Sequence, residues 1–302
     1  MTVQRWGVGS ASVARVEELL GPLFDPVRFF PDYDAQVLES LREWLGPDHL
    51  ASDGNIISSI HSWLIEIDGR RVLVDGCIGD DKDRMPFRDW HEMRTPWLDN
   101  LHAAGCTPED VDFVLCTHLH VDHVGWNTRL DNGRWVPTFP NARYLFAATE
   151  LEFWQARRAQ QHADAFDVVG DKVFDDSVLP VVEAGLVDLV DGTHRILDGL
   201  LIEPAPGHTP GSVTLELDAG GGRALFTGDI LHHPLQVRLP EWNSAFCELP
   251  AEARATRRRV LEHCAETGAL LMPAHFGWPH AGTISRHDEG FTIDYVEPKA
   301  LS

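Results

Sequence analysis

Four side chains that commonly bind metals, His118, His120, Asp122 and His123, fall within six consecutive residues. They follow an apolar stretch, residues 111–115, that reads as a short buried strand leaving the core. Extended backbone points residues two apart to the same side, so His118 and His120 can face one cation. A turn after His120 can swing Asp122 and His123 towards a second. Neutral imidazole and carboxylate suit zinc and similar divalent ions. More residues of this kind recur where apolar runs end. Asp75 stands beside Gly76, either as a turn residue or as a carboxylate that orients a ligand loop. His208 sits in a tight Pro206–Gly207–His208–Thr209–Pro210–Gly211 loop, Asp229 in a Gly-Asp turn after residues 224–227, and His275 in Pro273–Ala274–His275–Phe276.

The elements that would present these residues read as follows. Residues 1–50 form an N-terminal extension packing on a domain of residues 51–302. Helical spacing is expected at 13–20 and 35–45, and between them lie Phe24, Phe29, Phe30 and Tyr33. Residues 56–67 and 71–75 make a hairpin about Asp68–Gly69. Helices are expected at 97–104, at 149–160 behind a Thr149/Glu152 capping box, and at 250–267. Strands are expected at 142–147, 187–190, 200–203 and 269–272, with a second hairpin at 213–217 and 223–227. Residues 78–100 and 161–179 read as charged or polar and irregular. Two rounds of hairpin, crossover and strand-end ligands suggest two related halves.

The 302 residues carry a net charge of −22, which disfavours nucleic acid or an acidic membrane surface as partner. The dense basic run, Arg254 and Arg257–Arg258–Arg259, reads as the solvated face of a helix. Five cysteines, an odd number without a CxxC pair, suit reduced thiols. Neither a secretory leader nor a membrane span is read, so the expected setting is cytoplasmic.

The series Asp75, His118-x-His120-x-Asp122-His123, His208, Asp229 and His275 resembles that of the metallo-β-lactamase fold superfamily across about residues 56–279. That resemblance implies an α/β (α+β) architecture, an αββα sandwich of two mixed sheets flanked by helices. It also implies two divalent metal ions, zinc first, with manganese, iron or cobalt as alternatives. His118, His120 and His208 would hold one ion and Asp122, His123 and His275 the other, with Asp229 shared. The series is most like the branch of quorum-quenching lactonases and of organophosphate and aryl-ester hydrolases. The implied reaction is opening of a small-molecule substrate, either an acyl-homoserine-lactone-like lactone or an aryl ester, by a metal-bridging hydroxide, with Asp122, Asp229 and His232 as catalytic groups. His232 stands where the best-known lactonases of that branch carry a tyrosine. Phosphotriester hydrolysis, a glyoxalase II-like thioesterase, a mononuclear iron persulfide dioxygenase and a non-enzymatic binding module are the competing expectations. Trp126, Trp242 and Phe246 are expected to line the substrate pocket, and the aromatic extension to support a homodimer. His61, His233, His280 and His287 are expected in structural roles, with His280 the candidate exception as a pocket-lining group.

Overall fold

A computed structural model describes residues 3–160, 165–288 and 290–300. Its short apolar runs, bounded by turn residues, become strands of two sheets. The first sheet contains β1 (Gln4–Val8), β2 (Ala11–Phe24), β3 (Ile56–Ile67), β4 (Arg70–Val74) and β5 (Phe113–Leu115). A separate small hairpin, β6 (Thr128–Asp131) and β7 (Arg134–Pro137), precedes the last two strands of that sheet, β8 (Arg143–Ala147) and β9 (Val187–Val190). The second sheet follows chain order: β10 (His194–Leu197), β11 (Leu200–Pro204), β12 (Val213–Ala219), β13 (Gly222–Phe226), β14 (Leu270–Met272), β15 (Gly282–His287) and β16 (Gly290–Tyr295). Finally β17 (Lys299–Ala300) pairs with β1 at the edge of the first sheet.

The two halves repeat one device. In the first sheet β3 and β4 pair antiparallel and β4 and β5 parallel. In the second, β12 and β13 pair antiparallel and β13 and β14 parallel. Asp75 and Asp229 therefore follow corresponding hairpins, and the runs containing His118 and His275 follow corresponding parallel strands. The loops gather at one edge of the sandwich.

Between the sheets Trp63, Ile65, Val72 and Val74 pack with Leu215, Leu217, Ala224 and Phe226. Helices cover the outer faces: α1 (Pro26–Phe29), α2 (Ala35–Leu45), α3 (Trp97–Ala103), α4 (Ala148–Arg158), α5 (Ala165–Val173), α6 (Leu179–Glu183), α7 (Leu235–Arg238) and α8 (Pro250–Thr267). Trp97, Leu101, Leu151 and Trp154 from α3 and α4 bury against Leu64, Leu73 and Val114. Val260, Leu261 and Cys264 of α8 bury against Leu225 and Leu271. Each such side chain contributes about 1.5–3 kcal/mol. The segment holding α1 and α2 packs Phe30, Leu38 and Leu45 with Leu235 and Trp242. Helix α8 has Pro250 at its first position and stops at Gly268, whose φ of 70° takes the left-handed cap.

Three expectations change. Residues 13–20 belong to β2, not to a helix, because this strand is covered on both faces. Val13 points between the sheets and Ala14 and Val16 the other way, so the polar–apolar alternation that marks a strand is absent. Helix α4 starts one residue early, its cap is Ala147 without a side-chain bond, and the Thr149/Glu152 capping box does not form. The charged stretch 78–100 holds a buried ion cluster: Arg84 donates to both oxygens of Asp176 at 2.6 and 2.9 Å, and Lys82 lies 3.7 Å from the same carboxylate. Residues 161–164 of the polar segment lie outside the described residues.

Candidate metal centre

The loop after β5 carries Cys116 to His123, and the loop after β4 docks on it. Asp75 has a φ of 63°, a left-handed conformation uncommon outside glycine, which turns its carboxylate inward. There it accepts hydrogen bonds from the Thr117 amide at 2.7 Å and from Thr117 Oγ1, and it lies 2.9 Å from His123 Nδ1. The Gly76 amide donates to His123 O and the Trp126 amide to Gly76 O, both at 2.6 Å. A Cβ on Gly125 would fall 1.8 Å from Ile78 O, so only glycine permits this approach.

Seven side chains converge in two groups. His118, His120, His208 and Asp229 form one, and Asp122, His123 and His275 the other, the candidate ligand atoms of each lying within 4.8 Å of one another. In the first group His120 Nδ1 stands 3.1 Å from His118 Nε2 and 2.9 Å from His208 Nε2. Asp229 Oδ2 is 3.3 Å from His208 Nε2. Its other oxygen, Oδ1, reaches the second group, 2.9 Å from His275 Nε2 and 3.2 Å from His123 Nε2. Asp122 stands 3.5 Å from His275 and 3.6 Å from His123.

The electrostatics suit cation binding. Burial pushes His118 and His208 well below the ordinary histidine range, and His120 down to about 4, so all three keep free lone pairs at neutral pH. Burial opposes charge on Asp229, yet His123, His275, His232 and His118 around it hold the carboxylate ionised. Burial also disfavours a charged His123, but Asp229, Asp75 and Asp122 outweigh it and raise its pKa well above the usual value.

The donor set fits divalent ions. Two nitrogens on one tetrahedral zinc, each about 2.0–2.1 Å from it, stand roughly 3.3 Å apart, close to the separations among His118, His120 and His208. His123 Nε2 and Asp229 Oδ1 are buried and face each other across 3.2 Å, with no donor in good alignment on either atom. Behind the ligands, Asp75 faces His123, and Ser59 O lies 2.8 Å from His275 Nδ1.

A cavity of ≈ 410 Å³ opens over both groups, lined by His120, Asp122, Asp229, His232 and His275. Leu23, Phe24, Phe29, Phe87, Trp90 and Phe246 supply apolar wall, and the exposed Arg28 and Arg88 also border it. His232 Nε2 is 3.2 Å from Asp229 Oδ2, and its ring meets Phe29 edge to face. Phe246 thus lines the cavity, but Trp126 and Trp242 do not. Trp126 stacks on Trp97 with centroids 5.0 Å apart and donates to the buried Glu18 at 2.7 Å. Trp242 packs on Phe30. Their bulk is used to anchor loops. His280 is absent from the lining too; it is buried beside His61 and bonded to Phe276 O. Arg257, expected on a solvated face, is fully buried and donates to Ile230 O, Pro240 O and Asn243 Oδ1.

The family model of the metallo-β-lactamase superfamily matches residues 57–281. The chain belongs to that superfamily. An N-acyl homoserine lactonase of a Bacillus species is 26% identical over 123 residues, 40% of this chain and 39% of that protein. A probable metallo-hydrolase of Mycobacterium tuberculosis is 28% identical over 182 residues, 57% of each chain. The chain therefore spans two-fifths to three-fifths of these relatives' length. Among solved structures, the hydrolase AbOPH of the β-lactamase superfamily superposes with a TM-score of 0.81 at 24% identity, covering 99% of this chain and 98% of that one. AidC, a dizinc quorum-quenching lactonase in complex with a product, N-hexanoyl-L-homoserine, gives 0.80 at 19% identity with the same coverage. Both likenesses establish the shared fold.

Sequence reasoning passed over two buried carboxylates. Glu18 accepts from the Ile78 and Gly79 amides, and Glu150 accepts from Leu119, Thr209 and Gly211 of the ligand loops and from Trp154 on its own helix. The available signal was position: each is an acidic residue inside or directly beyond an apolar strand. It also gave no role to residues 87–90 as a wall, since only the folded chain brings them opposite Phe24.

Proposed function

We propose that this protein is a dinuclear metal-dependent hydrolase that opens a lactone or an aryl ester. The observation that carries the reading is Asp229, grouped with His118, His120 and His208 through Oδ2 and reaching His123 and His275 through Oδ1, beneath an aromatic-walled cavity. His118, His120 and His208 would hold one ion, Asp122, His123 and His275 the other, and zinc is the ion we propose. When bound, such ions supply Lewis acidity to a carbonyl oxygen and lower the pKa of water towards neutrality.

The chain's own residues do the rest. Asp229 would serve both positions, with Oδ2 beside His208 and Oδ1 beside His275. His232 is neutral, because burial lowers its pKa, and would donate a hydrogen bond to the carbonyl oxygen as charge develops there. Asp122 borders the cavity and would carry the proton to the leaving oxygen. Phe24, Phe29, Phe87, Trp90 and Phe246 would bury the acyl or aryl arm and exclude water. A homodimer belongs to the same proposal, supported by Leu20 and Val27, which are 43% and 59% exposed beside the aromatic segment.

The test is an assay of the metal-loaded protein against lactones, aryl esters, phosphotriesters and thioesters, with metal content measured in parallel. Turnover of lactones or aryl esters with two metals per chain is expected. Activity confined to thioesters would overturn the substrate class, and one iron per chain with oxygen uptake would overturn the hydrolase reading.

A further inference from the structure

The three histidines of the first group come from loops on different sheets: His118 and His120 follow β5, and His208 follows β11. Their relative placement therefore needs a tie between the loops. One buried carboxylate touches both. Glu150 Oε1 accepts from the Leu119 amide, between His118 and His120, at 3.0 Å, and from Trp154 Nε1 at 2.7 Å. Glu150 Oε2 accepts from Thr209 Oγ1 at 2.7 Å and from the Gly211 amide at 3.0 Å, beside His208. Four donors saturate its acceptor capacity. The His208 loop also lies so close that a Cβ on Gly211 would meet the Glu150 backbone at 2.2 Å.

We propose that Glu150 is the positioning residue of the first metal position, setting the distance of His208 from His118 and His120. The inference rests on reading the cluster as a metal centre. Among the described residues, no hydrogen bond of Glu150 reaches Asp122, His123 or His275; His123 faces Asp75 and His275 faces Ser59 O. Asp75 also reaches the first group, because Thr117 Oγ1 donates to it and lies 3.2 Å from His118 Nδ1. Glu150 makes no matching bond to the second group, so its loss should weaken the first position alone. Glu150→Gln keeps the shape but replaces one acceptor oxygen with an NH2 group. Whichever end the amide occupies, a backbone N–H of one ligand loop, Leu119 or Gly211, then faces another donor.

The experiment strips the protein of metal and titrates it with cobalt(II), following the visible spectrum and competing with a chelator. Wild type should take up two ions; uptake of none would defeat the metal reading itself, whatever Glu150 does. Glu150→Gln should lose about 10–100-fold in affinity for one ion only. Asp75→Asn should weaken mainly the ion held by His123, with a smaller effect on the first through Thr117 and His118, and the double variant both. Thr209→Val, which deletes a single donor, should weaken the same ion as Glu150→Gln by a smaller factor, and it decides the matter if Glu150→Gln does not fold. Equal weakening of both ions by Glu150→Gln, weakening only of the ion held by Asp122, His123 and His275, or unchanged affinity in a folded variant would overturn the proposal.

Discussion

At the scale of single residues, two side chains near the cluster separate metal binding from chemistry. Asp75 faces His123 Nδ1 at 2.9 Å and so fixes which nitrogen is left for an ion. Asp75→Asn should cost about 10–100-fold in metal affinity, read by chelator competition, while the far-ultraviolet circular dichroism stays that of wild type. His232 has the opposite profile. It borders the cavity and contacts Asp229 but belongs to neither ligand group. His232→Gln should retain both ions and lower kcat by about 10²-fold, the usual loss of one transition-state hydrogen-bond donor. Unchanged kcat with full metal content would reduce His232 to a loop residue.

At the scale of elements, buried charge joins strands and helices to the ligand loops. Glu18 of β2 is fully enclosed. Burial lifts its pKa from 4.5 to about 7, although bonds from Ile78, Trp126 and Gly79 pull the other way. Between those values the folded chain keeps a proton that the unfolded chain has released. The resulting stabilisation is complete below pH 4.5 and is lost as pH rises through 7. It is worth roughly 3 kcal/mol at about 1.36 kcal/mol per pH unit. Denaturant titrations at pH 5 and pH 8 should show wild type losing that much more than Glu18→Gln over the interval. A parallel dependence in the two proteins would disprove the account. Arg257 of α8 does comparable work for the segment carrying His232 and Phe246, donating to Ile230 O at 2.8 Å and Pro240 O at 2.7 Å. Arg257→Ala should destabilise the fold by about 3 kcal/mol, seen as a lower urea midpoint, and should slow turnover through the loosened wall.

At the scale of the whole molecule, 47 acidic against 25 basic residues make the surface repel itself. Exposed ion pairs such as Arg258–Glu241, at 2.8 Å, offset little of this. Screening acts over about 8 Å at 0.15 M salt. Raising sodium chloride from 20 to 200 mM should therefore raise Tm by several degrees. A fall in Tm would mean that attractive pairs dominate the surface. Among the described residues, no helix is long and apolar enough to cross a membrane.

How much of this was legible follows from which interactions are local. His118, His120, Asp122, His123, His208, Asp229 and His275 could be picked out because each lies at a strand end marked by apolar residues on one side and turn residues on the other. That pattern is written in neighbours along the chain. The helices Ala35–Leu45 and Pro250–Thr267 were legible for the same reason. Residues 13–20 misled because a strand buried on both faces carries no alternation, and its partners lie across a sheet. Trp126 and Trp242 misled because an aromatic ring in a loop is equally suited to anchoring and to lining. What only the tertiary structure decided is which groups meet across the two sheets: Asp229 between both ligand groups, Glu150 between two loops, and Phe24 opposite Trp90 over the cavity. Side-chain type and spacing determined the chemistry available to the run from His118 to His123. The distances that arrange it around a substrate come from long-range packing, to which no local pattern in the sequence is bound.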